Sequence, residues 1–542
     1  MGATRWGMAR VLKRAAIALL IAAVPASAQP SLAPWTHGAT CYEVFVRSFY
    51  DSNGDGIGDL QGLIAKLDYI NDGNPQSRTS LGARCIWLMP IVASPSYHGY
   101  DATDYYRVNP DYGTNDDFKQ LVAAAHQRGI RVLVDMVLNH TSNEHPWFQA
   151  ALHDTTSPYR SWYRWSATQP NEKGPWGQDV WYKSPVRDEY YYAVFWSGMP
   201  DLNYATPAVR EEVKKIAGFW LDEMGADGFR LDAVPFLMED HGKLAGSPGT
   251  HDLLHEYQQY LRTAKPDVYT VGEVYDSLGA VLPYYPEQLD SYFAFEMADS
   301  IIAGVRRGSA KGLLAPVLRM QYDIPANRWS SFLRNHDQPR TRTELGGDIA
   351  KARLASFLLL TLPGVPFVYY GEEIGMTGTK PDERIRTPMQ WSRGHAAGFT
   401  TGKPWEALQP DTLTTNVEIE NRDPRSLLTL HRTLIHLRAS NPALADGALI
   451  PLTTNNDAVA AYLRREGNRV VLVIANLGST PANAVVLSSD VGAVPAGRWR
   501  IRNLLDGSSG ASLSVSSNGR IEAWMPLTVL APREGWLFEF VH

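Results

Sequence analysis

The sequence predicts an α/β chain: a closed (β/α)8 TIM barrel with a segment inserted after the third strand and an antiparallel β-sandwich domain at the C-terminus. Three observations predict it. From Cys41 onward short β-branched and aromatic runs alternate with longer amphipathic stretches; eight such runs occur; and helical periodicity ceases after about Ala445.

Taken in order, residues 1–28 read as a signal peptide. Arg5, Arg10, Lys13 and Arg14 precede the apolar run 15–23, and Ala26-Ser27-Ala28 offers small residues for a peptidase. That run falls short of the roughly 20 residues a membrane span needs, so no stable membrane insertion is expected. The expected location is the periplasm or the medium. Residues 29–140 and 205–445 form the barrel, with strands at 42–47, 85–89, 131–137, 228–233, 268–274, 291–295, 330–334 and 366–370. Between them, 115–128 and 207–224 carry apolar residues every three or four positions and end near Gly129 and Gly225, suited to helix C-termini. The gap 141–204 is too long for an ordinary connection and rich in Trp, Tyr, Pro and Gly, so it reads as a small inserted domain. Residues 446–542 show short strand-like runs between turn residues.

A chain of 542 residues with 44% hydrophobic and 20% charged content can bury a large core in two or three modules. A net charge of -6 without a Lys or Arg cluster makes nucleic acid a poor partner. Export permits a disulfide between the only cysteines, Cys41 and Cys85; two buried thiols are the equal alternative.

Chemistry in such a barrel belongs where strands run out at their C-terminal ends. The third strand runs into Asp135-Met136-Val137-Leu138-Asn139-His140, the fourth carries Arg230-Leu231-Asp232, the fifth ends in Glu273, and the seventh leads to Asn335-His336-Asp337. Period-2 alternation puts Arg230 and Asp232 on one face, so the guanidinium can orient a nucleophilic carboxylate. A second carboxyl in a less polar setting, Glu273, would keep its proton and act as general acid. Asp337 would be a third acid that binds sugar hydroxyls.

These segments, in this order and spacing, resemble the signature regions of glycoside hydrolase family 13. Met199-Pro200-Asp201-Leu202-Asn203 resembles a fifth motif, in the form found between oligo-1,6-glucosidases and neopullulanases. The resemblance covers essentially the whole mature chain. It implies Asp232 as nucleophile, Glu273 as acid/base, Asp337 as transition-state stabiliser, and Arg230, His140 and His336 around the attacked glucose. It also implies that Tyr100 stacks on that glucose and His98 bonds its hydroxyls. Exo-acting members usually place an acid three residues before the tyrosine; here Tyr97 stands there, which implies a cleft open at both ends. Ala233, where α-1,6-cleaving relatives tend to carry valine, implies α-1,4 bonds.

The loop from Asp51 to Asp59 places oxygen donors on alternate residues with glycines between them, a pattern suited to Ca2+. Family relatives imply Asp51, Asn53, Asp55, the Ile57 carbonyl and Asp59 as ligands. A second calcium site of the family uses the asparagine equivalent to Asn139 and a histidine just beyond the nucleophile strand. Val234-Pro235-Phe236 stands there instead, so that site is not expected.

The reading is a secreted, monomeric α-amylase acting on α-1,4-glucan and maltooligosaccharides with retention of configuration. The alternatives are an α-glucosidase, a cyclomaltodextrinase-like or transglycosylating enzyme, or a non-catalytic carbohydrate-binding protein on the same fold.

Overall fold

The computed structural model describes residues 32–240 and 242–541, so the segment read as a signal peptide lies outside the described residues. Eight parallel strands close into a barrel in chain order: β1 (Cys41–Val44), β2 (Cys85–Leu88), β3 (Arg131–Met136), β4 (Gly228–Leu231), β5 (Tyr269–Gly272), β6 (Ser291–Phe293), β7 (Trp329–Ser331) and β8 (Val365–Tyr369). Each of the eight expected runs overlaps one of them. Alternation splits the side chains between two environments. Cys41, Cys85, Trp87, Leu133, Tyr269, Val271, Phe293 and Phe367 pack inside the barrel. Tyr42, Val44, Ile86, Leu88, Val132, Val134 and Phe229 pack outward into the main core. Gly228 opens β4 because a Cβ there would stand 1.9 Å from the Tyr269 carbonyl oxygen of β5.

The helices follow local chemistry. Helix Asn115–Gln127 begins at Thr114, whose hydroxyl accepts from Asp117 N while the Asp117 side chain accepts from Thr114 N. It buries Phe118, Leu121, Val122 and Ala125 and ends before Gly129, which takes φ +71°. Within 141–204 lie helix Pro146–His153 and a three-stranded antiparallel sheet of Trp165–Ser166, Tyr190–Tyr192 and Trp181–Lys183.

Toward the C-terminus β9 (Ala448–Pro451), β10 (Val459–Glu466), β11 (Arg469–Asn476), β12 (Gly497–Asn503), β13 (Leu513–Val515) and β14 (Glu534–Val541) form an antiparallel sheet in the order β9-β10-β11-β14-β12-β13. One face, with Leu463, Leu472, Ile474 and Phe538, packs under Ala482, Leu487 and Leu530 of two short two-stranded ladders. The other face, with Tyr462, Val471 and Val473, joins the core of the barrel. Arg464 is fully buried there and donates to Thr361 O (2.7 Å) at the end of helix Ile349–Thr361 and to Gly447 O (2.8 Å). A cation is well placed at a helix C-terminus, where carbonyls lack partners.

Cys41 and Cys85 are register partners on β1 and β2, with Cα atoms 4.4 Å apart, and they form a disulfide. The bond spans a sequence separation of 44 residues. In chain-entropy terms a loop of that size contributes about 4 kcal/mol. Replacing both cysteines with alanine should therefore lower the melting temperature by a few degrees, measured by calorimetry, while leaving the far-ultraviolet circular dichroism spectrum unchanged.

Candidate active site

Arg230 organises the mouth of the barrel. It sits on β4 beside Asp135 of β3, its register partner, and is completely buried. Its Nη1 donates to both oxygens of Asp135 (2.9 and 3.1 Å) and to Asp232 Oδ1 (2.6 Å). Its Nη2 lies 2.8 Å from Glu273 Oε2. Asp232 and Glu273 thus hold the two terminal nitrogens of one guanidinium and face one another across its width. After Asp232 the chain turns sharply: Ala233 adopts φ +48°, an uncommon conformation for a residue with a Cβ, and its N–H points to Glu273 Oε2 at 3.3 Å.

Three acids share one buried cation, so they cannot all ionise freely. Burial raises Glu273 to about 8 against the pull of Arg230, with the Asp232 charge adding to the rise. Burial likewise raises Asp135 to about 7, again opposed by Arg230. Trp87 Nε1 (3.2 Å) and Tyr100 Oη (3.2 Å) donate to Asp135 Oδ2. Asp337 behaves differently. Burial opposes its ionisation, yet His336, Arg386 and Arg230 together hold it below the usual carboxylate range. Arg386 Nη2 donates to its Oδ1 at 2.8 Å, and His336 Nε2 stands 3.2 Å from its Oδ2. The Asp337 side chain remains 43% exposed, open to a ligand.

A cleft of about 620 Å³ opens above these groups, lined by His98, Tyr100, His140, Asp232, Glu273 and Asp337 among others. Every side chain that the sequence nominates for catalysis or sugar contact lies on it or, for Arg230 and His336, directly beneath it. Tyr100 N donates to His98 Nδ1 (3.1 Å), which leaves the other ring nitrogen of His98 for a ligand. His140 Nε2 is 2.9 Å from Tyr100 O. In its lining Phe195 packs against His140, and Trp176 packs on Phe195 and Phe236. Tyr275, also in the lining, stacks on Phe295. Trp176 and Tyr275 are 62% and 66% exposed, so their ring faces are free to meet a sugar.

Sequence reasoning assigns no role to Asp135, Glu43, Arg386, Asp382, Trp176 or Tyr275. A signal existed for the first two: Glu43 shares inward parity with Cys41 on β1, and Asp135 shares it with Leu133 on β3. Asp382 opens the four-residue helix Asp382–Ile385, Arg386 closes it and Trp176 lies in a loop, and none of these carries a periodicity long enough to mark an inward side chain.

The loop from Asp51 to Asp59 shows a different economy. Asp51 accepts from the N–H groups of Asn53, Gly54 and Gly56 and from the Thr400 hydroxyl; Asn53 accepts from Asp55 N and Asp55 from Ile57 N. Asp59 accepts from Ser52 and caps a helix through Gly62 N. A Cβ on Gly56 would stand 1.9 Å from Lys403 O, so packing explains that glycine. Among the described residues no three His, Cys, Asp or Glu side chains converge to hold a metal ion. The loop's oxygens are of the right chemistry for Ca2+, but the side chains of Asp51, Asn53, Asp55 and Asp59 each already accept an N–H or O–H.

Beyond β4 two buried acids lie close to Asn139. Asp201 accepts from Val194 N (2.9 Å) through Oδ1, and Arg164 donates to Glu239 Oε2 (2.8 Å). Asp201 Oδ2 and Glu239 Oε1 are buried with no hydrogen-bond partner. Burial raises Asp201 well above its ordinary range, and Glu239 adds to the rise.

A family profile described as alpha amylase, catalytic domain, matches residues 43–447. The chain is 42% identical to α-amylase 3 of Dictyoglomus thermophilum over 456 residues, covering 82% of this chain and 85% of that one. It is 36% identical to a trehalose synthase/amylase of Mycobacterium tuberculosis, covering 84% of each. The crystal structure of the α-amylase from H. orenii superposes with a TM-score of 0.79 at 41% identity, covering 93% of this chain and 99% of that one. With the profile spanning the barrel and relatives this similar over more than four-fifths of the chain, the protein belongs to the α-amylase family, family 13 of the glycoside hydrolases.

Proposed function

We propose that the protein is a secreted α-amylase that cleaves internal α-1,4-glucosidic bonds with retention of configuration. The observation that carries this reading is the pair Asp232 and Glu273, two carboxyls on one guanidinium at the floor of an open cleft. In a retaining reaction such carboxyls flank the anomeric carbon at roughly 5 to 5.5 Å from each other. Asp232 attacks the anomeric carbon while Glu273 gives its proton to the departing glycosidic oxygen. A glycosyl ester forms on Asp232. Glu273, now ionised, takes a proton from water, and that water displaces the ester and regenerates both groups. Asp337, exposed and held as a carboxylate by His336 and Arg386, bonds hydroxyls of the reacting ring.

Asp232→Asn or Glu273→Gln should lower kcat by roughly a thousandfold or more with the fold intact. Near-normal turnover by either variant refutes the assignment. Glu273 acts as an acid, so its useful form is lost as pH rises through about 8. The expected kcat/KM profile falls on the alkaline side near that value.

Tyr97 stacks on Trp405 rather than presenting an acid to the cleft, and Trp176 and Tyr275 offer two exposed rings for a longer chain. These features favour internal attack. One observation favours a pocket instead. Arg386 lies over the Tyr97 ring and binds both Asp337 and Asp382, so Asp382 brings an acid to the place that Tyr97 leaves without one. That arrangement, with the trehalose synthase relative, supports a glucosidase or isomerising enzyme on short sugars. Maltoheptaose blocked at its non-reducing end separates the two: the amylase cuts it internally, whereas a pocket enzyme leaves it whole and acts only on the unblocked sugar.

Residues 1–28 and the buried Cys41–Cys85 bond both suit export into an oxidising compartment. Among the described residues no helix is long and apolar enough to cross a membrane. A monomer is the proposed state.

Ca2+ is proposed as a structural ion. The loop from Asp51 to Asp59 supports it by donor pattern alone. The Asn139 region supports it more strongly, although the missing histidine argues against a site there. His140, whose proton affinity burial lowers, faces Tyr100 O with Nε2 and Asn139 with Nδ1. A neutral ring donating from Nε2 needs a donor at Nδ1, so the Asn139 amide must turn its NH2 toward His140. Its oxygen then faces the Phe236 carbonyl, beside the unpartnered oxygens of Asp201 and Glu239. A hard cation would displace the proton that burial keeps on Asp201 and take its oxygens together with those of Glu239, Asn139 and Phe236. Such an ion ties the inserted segment to the barrel and takes no part in bond cleavage. Chelation should lower the melting temperature by several degrees, and Asp201→Asn should abolish that response if this site holds the ion. An Asp51→Asn variant that abolishes it instead assigns the ion to the loop; unchanged melting in chelator removes the proposal.

A further inference from the structure

Glu43 is an acid of the barrel interior that the reaction above leaves unused. It lies on β1, is 2% exposed, and places Oε1 2.6 Å from Nδ1 of His336. His336 is fully buried and stacks on Tyr100, with ring planes 11° apart. Its Nε2 stands 2.5 Å from Tyr100 Oη and 3.2 Å from Asp337 Oδ2. One imidazole therefore links Glu43 on one side to Tyr100 and Asp337 on the other.

A neutral imidazole carries one proton, and its position decides what Asp337 meets. With the proton on Nδ1, His336 donates to an ionised Glu43, Tyr100 Oη must give its proton to Nε2 and so gives up Asp135, and the Nε2 lone pair faces the Asp337 carboxylate. With the proton on Nε2, His336 donates toward Asp337 and Tyr100 Oη, and Tyr100 is free to donate to Asp135 Oδ2 at 3.2 Å. Nδ1 then needs a donor, and Glu43 supplies one only as a carboxylic acid. In the second arrangement every hydrogen bond in the chain has one donor and one acceptor.

We propose that Glu43 is a positioning residue: as a carboxylic acid it donates to Nδ1, locks His336 in the Nε2–H tautomer, and so aims that proton at Asp337. The surroundings agree with this. Burial lifts Glu43 well above the usual carboxylate range despite Arg230, with the Asp337 and Asp135 charges adding to the rise. Burial also keeps His336 neutral, lowering it to about 3 against the pull of Asp337. The functional consequence rests on the reading of Asp337 as the sugar-binding acid; the tautomer itself does not.

The test uses the full-length protein labelled with 15N-histidine, with the His336 ring signals identified as those lost in His336→Gln. The wild type should show a bare Nδ1 and a protonated Nε2. Glu43→Met fills the volume without a hydrogen bond, and should mix the tautomers and lower kcat by roughly tenfold or more. Glu43→Gln can donate an amide N–H to Nδ1, and should restore both the tautomer and the rate. A wild-type ring protonated on Nδ1, or a Glu43→Gln ring and rate as disturbed as those of Glu43→Met, overturns the proposal. If Glu43→Met does not fold, the wild-type and Glu43→Gln spectra decide alone. A locked Nε2–H ring in a protein that cleaves no glucoside sustains the positioning role and refutes the proposed function instead.

Discussion

Arg230 has to satisfy Asp135, Asp232 and Glu273 in a space closed to bulk water, and that constraint shapes the floor of the cleft. A guanidinium taken out of water is costly unless its donors are met, and one cation cannot neutralise three carboxylates. The imbalance resolves through protons. Burial and mutual repulsion lift Asp135 and Glu273, so a carboxylic acid persists beside a carboxylate near neutral pH. Burial, opposed by Arg230, lets Glu273 keep its proton in the company of two other acids.

Placing that cation depends on barrel register. Asp135 and Arg230 are Cα partners on adjacent strands, and a slip of one residue would turn either side chain out toward the helices. The close approach at Gly228 and the bond between Cys41 and Cys85 fix register near the opposite end of the strands. The aromatic layer of Trp87, Phe293 and Phe367 fills the interior between those fixed points and the charged mouth. Beneath Asp337, the same demand for matched donors and acceptors turns a neutral histidine and a protonated glutamate into a scaffold.

Much of this is written in local patterns. All eight strands were legible because each is a short apolar run bounded by turn residues, and Arg230, Asp232 and Glu273 were legible because parity and strand ends place them. Residues on long excursions were not. Trp176 reaches the cleft from the inserted segment, and Asp382 and Arg386 from a short helix on the excursion after β8; their positions depend on packing between distant segments. Calcium shows the limit from the other side. The loop from Asp51 to Asp59 has a conspicuous pattern, yet each of its acidic and amide side chains already accepts a hydrogen bond. The Asn139 region lacks the expected histidine, yet leaves two buried oxygens unmet because Glu239 arrives from further along the chain.

The balance between hydrolysis and transfer, in the proposed reading, is set after the glycosyl ester has formed, by which acceptor reaches it first. Asp232, Glu273 and Asp337 serve both outcomes equally, since water and a sugar hydroxyl are activated by the same ionised Glu273. The difference must arise where the leaving sugar waits. Trp176 and Tyr275 present rings more than half exposed in the lining of the cleft, and a sugar held against them would stay near the ester while water competes for it. Such stacking surfaces gain by binding several residues of a chain at once, whereas an acid at Asp382 gains by gripping one terminal ring. In that reading a chain stacked on both rings would leave no free end at Arg386, so the two modes of binding would compete for one site and chain length would select between them.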